Sequence, residues 1–360
     1  MYIKNLKIRN FRLIEKQDIE LNRNINVFIG NNAQGKTSIL ESIYMLALTK
    51  SFRNVSEEEI ISKEKDFSRV EALVKSDNKQ KKMTIILEKN NKTLKIDNKE
   101  VKKLSNYIST INVIMFSPDD LDIVKKSPGV RRNLLNIELC QMFSSYVRVL
   151  NEYNKLLKMR NEYIKKKFDQ INRDYLSVIT DKLIERAIVI MEYREKFILN
   201  INNYIDSIFY KIMKEKGLKV SYEPNLPSKD KEVLKKFFYD NFFNEISKKM
   251  TLYGPHRDDF SFILNDDDLK VYGSQGQQRV AILAFKLAEI NLFKETKKSY
   301  PIVLLDDIFS ELDIEKRNKL LKFIKSNIQF IITTTDIKNI SDKILNKADV
   351  LKVKNGKVTR

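Results

Sequence analysis

Apolar residues recur along the chain with two different periods, and the change of period divides the chain into three regions. Up to about residue 115, short runs such as "INVFIG", "SRVEALV" and "KMTIILEK" predict strands. From about 120 to 250, apolar residues recur at helical spacing in long charged stretches. Strands return after "GPHRDDF", in "PIVLLDDIF" and "IQFIITTTD". We expect an α/β domain made of residues 1–118 and 250–360, with a helical domain inserted at 119–249.

The segment between the strand "INVFIG" and the helix "TSILESIYMLAL" has a glycine spacing that suits a phosphate group. It matches G-x-x-x-x-G-K-[ST]. Glycines let backbone N–H groups turn toward a phosphate, the lysine reaches the terminal phosphates, and the hydroxyl can ligate Mg²⁺. The helix N-terminus that follows also favours an anion. We therefore predict a nucleotide-binding loop formed by Gly30, Asn31, Asn32, Ala33, Gln34, Gly35, Lys36, Thr37 and Ser38.

Two adjacent aspartates follow the apolar strand in "PIVLLDDIF". Asp306 is placed to bind Mg²⁺, directly or through water, together with Thr37, and Asp307 is placed to act as the general base for an attacking water. Paired aspartates also occur at strand ends without any such role. The phosphate loop upstream favours the catalytic interpretation, in which Lys36, Asp306 and Asp307 perform the chemistry.

The formal charge of the chain is +19, with a pI near 9.5. Such a charge suggests a polyanionic partner, nucleic acid first and an anionic membrane second. A base-composition bias in the source genome would also explain the many Lys, Asn and Ile residues. The single cysteine, Cys140, cannot form an internal disulfide, and a reducing cytoplasm is its simplest location. No apolar stretch is long enough to cross a membrane, so we expect neither a membrane nor a secreted protein.

A third motif lies between the first two, in "VYGSQGQQRVAILAFKLAEI", where a turn opens an apolar helix. The three motifs in this order resemble the ATP-binding-cassette arrangement, in which Ser274, Gly276 and Gln277 belong to a signature turn that completes the site of a second subunit. Together with "RNFRLIEKQDIEL", "FSPDDLDIVKKSPGVRRNLLN", "GPHRDDF" and "LLDDIFSELD", they resemble the RecF family of bacterial recombination proteins from end to end.

The resemblance implies an α/β P-loop NTPase domain similar to ABC ATPases and SMC heads, with an inserted α-helical domain. It further implies ATP and Mg²⁺ as ligands, weak DNA-dependent ATP hydrolysis, and a homodimer that closes on single-stranded or gapped duplex DNA when ATP is bound. The partners that it implies are RecR, and with it RecO and RecA at single-stranded gaps, in support of the SOS response. No membrane partner is implied.

Some residues depart from the usual pattern. Ala33 stands where many relatives carry glycine, which is tolerable if its φ is negative. Asp307 stands where many ABC-type ATPases carry the longer glutamate, so a water held for in-line attack is less well placed. Threonines in "FIITTTD" lie near the position where transporters carry a switch histidine.

Two other functions stay open at this point. The ATPase subunit of a transporter would need that switch histidine and a surface for membrane domains. A nucleotide-gated DNA scaffold with incidental hydrolysis is compatible with the motifs.

Four further residues, namely His256, Arg131, Arg132 and Arg12, are candidates for additional roles. His256 in "GPHRDD" fits a metal site with the next two carboxylates, or more simply a turn that braces the nucleotide domain. Arg131 and Arg132 open a helix, which suggests an acidic or phosphate partner, although surface solvation would serve as well. Arg12 could approach the nucleotide. The aromatic residues of the helical stretches fit a core better than a base-stacking surface.

Overall fold

The computed structural model describes residues 1–53, 55–76, 79–166, 168–310, 314–321, 323, 327–340 and 342–360. The strands are β1 (Tyr2–Phe11), β2 (Ile14–Glu20), β3 (Ile25–Ile29), β4 (Phe67–Ser76), β5 (Lys79–Glu88), β6 (Asn91–Ile96), β7 (Lys99–Glu100), β8 (Val113–Phe116), β9 (Leu218–Glu223), β10 (Asp259–Leu264), β11 (Asp267–Asp268), β12 (Ile302–Asp306), β13 (Phe330–Thr334), β14 (Ala348–Lys354) and β15 (Lys357–Thr359). The helices are α1 (Lys36–Leu48), α2 (Leu104–Ile108), α3 (Asp122–Lys125), α4 (Pro128–Met142), α5 (Ser144–Ile164), α6 (Arg173–Met213), α7 (Lys231–Asp240), α8 (Phe242–Lys248), α9 (Leu269–Tyr272), α10 (Gln275–Lys297), α11 (Ile314–Leu321) and α12 (Asp342–Leu345).

The chain forms two compact units. The first comprises Met1–Leu121, Ser207–Glu215 and Arg279–Arg360, and the second comprises Asp122–Asp206 and Lys216–Gln278. The sequence-based boundaries differ from this division at 119–121 and 207–215, which they place in the helical domain, and at 250–278, which they place in the α/β domain. Residues 250–278 belong to the second unit because β10 pairs with β9 along its whole length.

The first unit contains two six-stranded sheets. One is antiparallel, in the order β2-β1-β4-β5-β6-β7. The other has the order β15-β14-β3-β13-β12-β8 and is parallel except for its edge strand β15. Strands β3, β12 and β13 are almost entirely buried, as expected for the middle of a parallel sheet.

Helix α1 packs against both sheets, contacting β4 and β5 of the antiparallel sheet and β12 and β13 of the parallel one. It is apolar on nearly all sides, and Ile39, Leu40 and Ile43 are fully buried. A helix of this composition is stable only inside a core. The core therefore fixes the position of the loop that directly precedes α1.

The second unit is mainly helical and is closed by a small antiparallel sheet in the order β11-β10-β9. Its core takes apolar side chains from α5 and α6, including Tyr153, Ile190 and Ile201. The predicted architecture, an α/β domain made from both ends of the chain with an inserted helical domain, is confirmed. No helix in the described part of the chain is both long and apolar enough to span a membrane.

Candidate nucleotide-binding site

The predicted phosphate loop connects the end of β3 to the start of α1, at the carboxyl edge of the parallel sheet. Gly30 must lack a side chain, since a Cβ atom would lie 2.3 Å from the carbonyl oxygen of Val353. Gly35 has φ 100°, and Ala33 has φ 61°. The expectation that Ala33 keeps a negative φ is therefore wrong. The loop curls through two left-handed positions, and only one of them is a glycine.

Lys36 extends back over the loop that precedes it. Its ammonium donates hydrogen bonds to the carbonyl oxygens of Gly30 and Asn31, at 2.6 and 2.8 Å. Burial lowers the pKa of Lys36, and the charges of Asp307 and Asp306 partly oppose this effect. An ammonium group has three donors. The third N–H of Lys36 is thus available to a phosphate held by the loop.

Asp306 is the centre of a short hydrogen-bond chain at the end of β12. Its Oδ1 accepts hydrogen bonds from the hydroxyls of Thr37, at 2.9 Å, and Thr333, at 2.7 Å. The side chain is buried, and this desolvation raises the pKa of Asp306 although both hydroxyls oppose the shift. The structure thus brings together the two residues predicted to ligate Mg²⁺. Thr333 was not predicted, although it lies in the threonine run of "FIITTTD".

Asp307 follows with φ 49°, a left-handed conformation that is rare for residues other than glycine, asparagine and aspartate. Its backbone N–H donates to the carbonyl oxygen and the hydroxyl of Thr333, at 3.2 and 3.1 Å. Among the residues that the structure describes, its buried Oδ1 has no hydrogen-bond partner. A carboxylate oxygen in this position can accept a hydrogen bond from a ligand of the site. The residues after Ser310 in "LLDDIFSELD", 311–313, lie outside the described residues.

Arg12 does not extend freely toward the loop. Its guanidinium makes a two-point contact with Glu41, at 2.8 and 3.1 Å, and donates to the carbonyl oxygen of Glu59 at 2.8 Å. Glu41 is fully buried in α1 and also accepts a hydrogen bond from Ser51. The structure therefore assigns Arg12 to the support of α1. In the sequence, this ion pair is indicated by Glu41, a charged residue inside an otherwise apolar helix.

Ser274, Gly276 and Gln277 lie in the second unit, at the start of α10. The backbone N–H of Gln277 donates to the Ser274 hydroxyl at 3.2 Å, and the Ser274 N–H donates to Gln277 Oε1 at 2.9 Å. This reciprocal pair is a capping box. Gln278 supports the turn, since its amide nitrogen donates to the carbonyl oxygens of Leu269 and Gly273. Ser274 is exposed, and its hydroxyl hydrogen remains available as a donor.

The block "GPHRDDF" forms a buried polar network of the second unit. Asp258 is fully buried, and its carboxylate accepts hydrogen bonds from Arg194, Tyr222 and the backbone N–H of Asn225. Asp259 makes a two-point ion pair with Arg131, at 2.6 and 2.8 Å. The acidic partner suggested for Arg131 is thus a residue of the chain itself.

Arg132 and His256 complete this network. Arg132 donates to the carbonyl oxygen of Asp258 at 2.7 Å. The His256 ring contacts the Tyr153 hydroxyl and the carbonyl oxygen of Thr251, so it braces the second unit rather than the nucleotide domain. The described residues contain no cluster of three or more His, Cys, Asp or Glu side chains that could hold a metal.

A family model for the RecF/RecN/SMC N-terminal domain matches residues 2–359. A DNA replication and repair protein RecF from Halalkalibacterium halodurans is 40% identical over the full length of both chains. The chain belongs to the RecF family. Another RecF, from Bacillus subtilis, is 37% identical, again over the full length of both chains. The resemblance read from the motifs is confirmed.

Solved structures support the RecF assignment. A structure of the recombination mediator protein RecF with ATP, from the RecFOR pathway, matches with a TM-score of 0.92 at 31% identity, and the match covers 99% of this chain and 97% of that one. An SMC head bound to the C-winged helix domain of ScpA matches with a TM-score of 0.57 at 16% identity, and the match covers 100% of this chain and 97% of that one. The second match shows that this chain and the SMC head share a fold.

Proposed function

We propose that this chain is an ATP-dependent DNA-binding protein of recombinational and replication-gap repair. The contact between Thr37 and Asp306, directly beside Lys36, supports this proposal most strongly. It joins the start of α1 to the end of β12, which are 269 positions apart, and unites the phosphate loop with its acidic partner. The solved RecF structure that names ATP supports the same ligand here.

The residues at the loop fit magnesium. A hydroxyl and a carboxylate are the hard oxygen donors that Mg²⁺ prefers. The two oxygens lie 2.9 Å apart, close to the spacing of about 3 Å between adjacent ligands of an octahedral ion with bonds of about 2.1 Å. When bound, the ion would neutralise charge on the terminal phosphates. Thr37 and Asp306 would hold it, while Lys36 and the loop N–H groups bind the phosphates.

Asp307 acts as the general base in this proposal. Its carboxylate accepts the proton of the attacking water, and the N–H contacts to Thr333 hold its backbone in place. Since aspartate is one methylene shorter than glutamate, the water is held less closely and hydrolysis is slow. Slow hydrolysis suits a switch that remains closed for a long period.

A second copy of the chain completes the site. The capping box at Ser274 places an exposed hydroxyl at the N-terminus of α10, where the helix terminus favours an anion. In the proposed homodimer, Ser274, Gly276 and Gln277 of one chain face the γ-phosphate bound by the other. ATP thereby drives the two copies to close on DNA, and hydrolysis releases them.

DNA is the proposed polyanion, because the chain carries a formal charge of +19. We infer single-stranded and gapped duplex DNA as the targets. The RecFOR pathway named for a solved relative supports RecR and RecO as partners. With them the protein assists the loading of RecA at gaps and supports the SOS response.

Single-turnover hydrolysis with and without gapped DNA tests the proposal. Wild-type protein should hydrolyse bound ATP slowly and faster with DNA. Asp307→Asn should bind ATP with wild-type affinity and lose at least 100-fold in rate, since general-base catalysis contributes about 10²–10⁴-fold. An Asp307→Asn rate within threefold of wild type would show that Asp307 is not the base. A wild-type protein that binds ATP but never hydrolyses it would favour the nucleotide-gated scaffold.

A further inference from the structure

We propose that the turn of the C-terminal hairpin, Asn355–Gly356, is a positioning element of the phosphate loop. It holds Gln34 and Gly35 in the conformation that receives the triphosphate. This inference rests on the ATP binding proposed above. It assigns a role in nucleotide binding to the last strands of the chain, which carry none of the motifs.

The hairpin has a rigid and specific shape. Lys354 pairs with Lys357, so Asn355 and Gly356 form a two-residue loop between β14 and β15. Their φ values are 48° and 73°. Two positive φ values are required by the type I′ turn, for which Asn-Gly is the preferred sequence. A Cβ atom on Gly356 would lie 2.2 Å from the carbonyl oxygen of Leu13, so only glycine fits this position.

Gln34 is the residue of the phosphate loop that contacts this turn. Its side-chain Oε1 accepts a hydrogen bond from the Asn355 N–H at 2.8 Å, and its backbone oxygen accepts one from the Gly356 N–H at 2.9 Å. Gly35 lies against the same turn, since an added Cβ would be 3.4 Å from the Cα of Gly356. The Gln34 side chain therefore faces the hairpin, which leaves its backbone N–H for the part predicted for it in the nucleotide-binding loop.

The loop needs support from outside. Ala33 and Gly35, on either side of Gln34, both have left-handed backbones, which for alanine is an unfavourable conformation. The two hydrogen bonds to the hairpin hold Gln34 between them. Without these bonds, Ala33 would relax toward negative φ and the loop N–H groups would lose their common direction. Hairpin contacts and phosphate affinity should consequently change together.

The hairpin is itself anchored on both sheets of the first unit. Strand β14 pairs with β3, the strand that leads into the phosphate loop. On the other side, the Val358 N–H donates to Gln17 Oε1 of β2, at the edge of the antiparallel sheet, at 3.2 Å. The turn is therefore fixed relative to the end of β3. A fixed turn can position the loop rather than follow its movements.

The test compares variants of the full chain by ATP affinity, thermal unfolding without nucleotide, and amide hydrogen exchange. Gln34→Met removes the acceptor and keeps the side-chain length. We expect five- to tenfold weaker binding of a fluorescent ATP analogue, faster exchange in a peptide covering 30–40, and unchanged exchange in β4 and β5. The unfolding temperature should change by less than about 2 °C, because one hydrogen bond contributes modestly to stability.

Matched controls separate positioning from general damage. Gln80→Met alters an exposed glutamine of β5. Asn98→Ala alters a residue with φ 65° in the two-residue loop between β6 and β7, and is the counterpart of Gly356→Ala. Both controls should bind ATP within twofold of wild type, whereas Gly356→Ala should lose more than tenfold. If Gly356→Ala does not fold, Gln34→Met decides alone.

Two results would overturn the inference. One is Gln34→Met binding within twofold of wild type. The other is a loss of affinity accompanied by faster exchange throughout the first unit, which would show a merely structural role. A wild-type protein that does not bind ATP would instead contradict the proposed function, and the exchange of 30–40 in Gln34→Met would still report whether the hairpin orders the loop.

Discussion

Asp306 is a buried carboxylate whose charged form is disfavoured by the fold and required by the proposed Mg²⁺ site. Desolvation raises its pKa, which means that folding favours the protonated form. A group of this kind contributes stability at low pH and loses it as the pH rises through the folded-state pKa. The interior of the unliganded protein therefore disfavours the charged form of Asp306, and Mg²⁺ would compensate for it.

Asp306→Asn should separate binding from stability. Asparagine keeps an oxygen that accepts from Thr37 and Thr333 but has no charge. We expect the variant to be at least as stable as wild type at pH 7 in urea unfolding, and to lose Mg²⁺-dependent ATP binding. The stability difference should shrink as the pH falls, because the wild-type carboxylate becomes protonated.

Asp18→Asn provides the control with the opposite sign. The hydrogen bond from Asn5 and the charge of Lys7 lower the pKa of the exposed Asp18, so its neutral form is disfavoured. This variant should bind ATP normally and be slightly less stable at pH 7. If Asp306→Asn were clearly less stable than wild type at pH 7, the conclusion that the fold disfavours the charged form of Asp306 would be wrong.

At the scale of elements, the turn that carries His256 connects α5 to the polar network of the second unit. Burial lowers the pKa of His256 to about 4. Since the carbonyl oxygen of Thr251 can only accept, Nε2 carries the proton and Nδ1 accepts from the Tyr153 hydroxyl. The folded protein thus holds His256 neutral, while the unfolded chain protonates it below an ordinary pKa of about 6.5.

This difference makes stability depend on pH in a predictable direction. Stability should fall as the pH is lowered from 7 to 5, and His256 alone should account for roughly 2 kcal/mol of that loss. His256→Gln should lack this part of the pH dependence. The difference in unfolding free energy between wild type and variant should therefore be smaller at pH 5 than at pH 7 by that amount. Urea unfolding at both pH values measures it. An equal pH dependence in both proteins would show that His256 protonates alike in the folded and unfolded states.

Local patterns in the sequence were sufficient for the elements of the site. Strand β3, helix α1 and strand β12 follow from runs of apolar residues, and Lys36, Thr37 and Asp306 follow from their spacing around them. The left-handed backbone of Ala33 could not be predicted, because alanine has no local preference for it and the adjacent Gln34 is contacted by a turn 321 positions further along the chain. The placement of residues 250–278 depends on the pairing of β10 with β9, which is likewise non-local.

At the scale of the whole molecule, the phosphate loop and the signature turn belong to different units of the chain. Each is held by contacts within its own unit. Lys36 and Asp306 are held by hydrogen bonds at the edge of the parallel sheet, and Ser274 is held by its capping box. Neither half contains all the groups that the proposed hydrolysis requires. The proposed homodimer brings both halves together in one composite site and links nucleotide binding to the proposed closure on DNA.

Sedimentation velocity with and without Mg²⁺ and ATP tests the composite site most directly, on wild type and Ser274→Arg. The wild type should change from the 42.5 kDa monomer to a dimer of twice that mass when ATP is added. Ser274→Arg should bind ATP with near-normal affinity and remain monomeric, because the larger side chain fills the space for the partner's γ-phosphate.

Mixed with Lys36→Ala, Ser274→Arg should regain partial hydrolysis through the one intact site of the heterodimer. A Ser274→Arg protein that dimerises with ATP as wild type does, or a wild type that binds ATP and remains monomeric, would contradict the shared site.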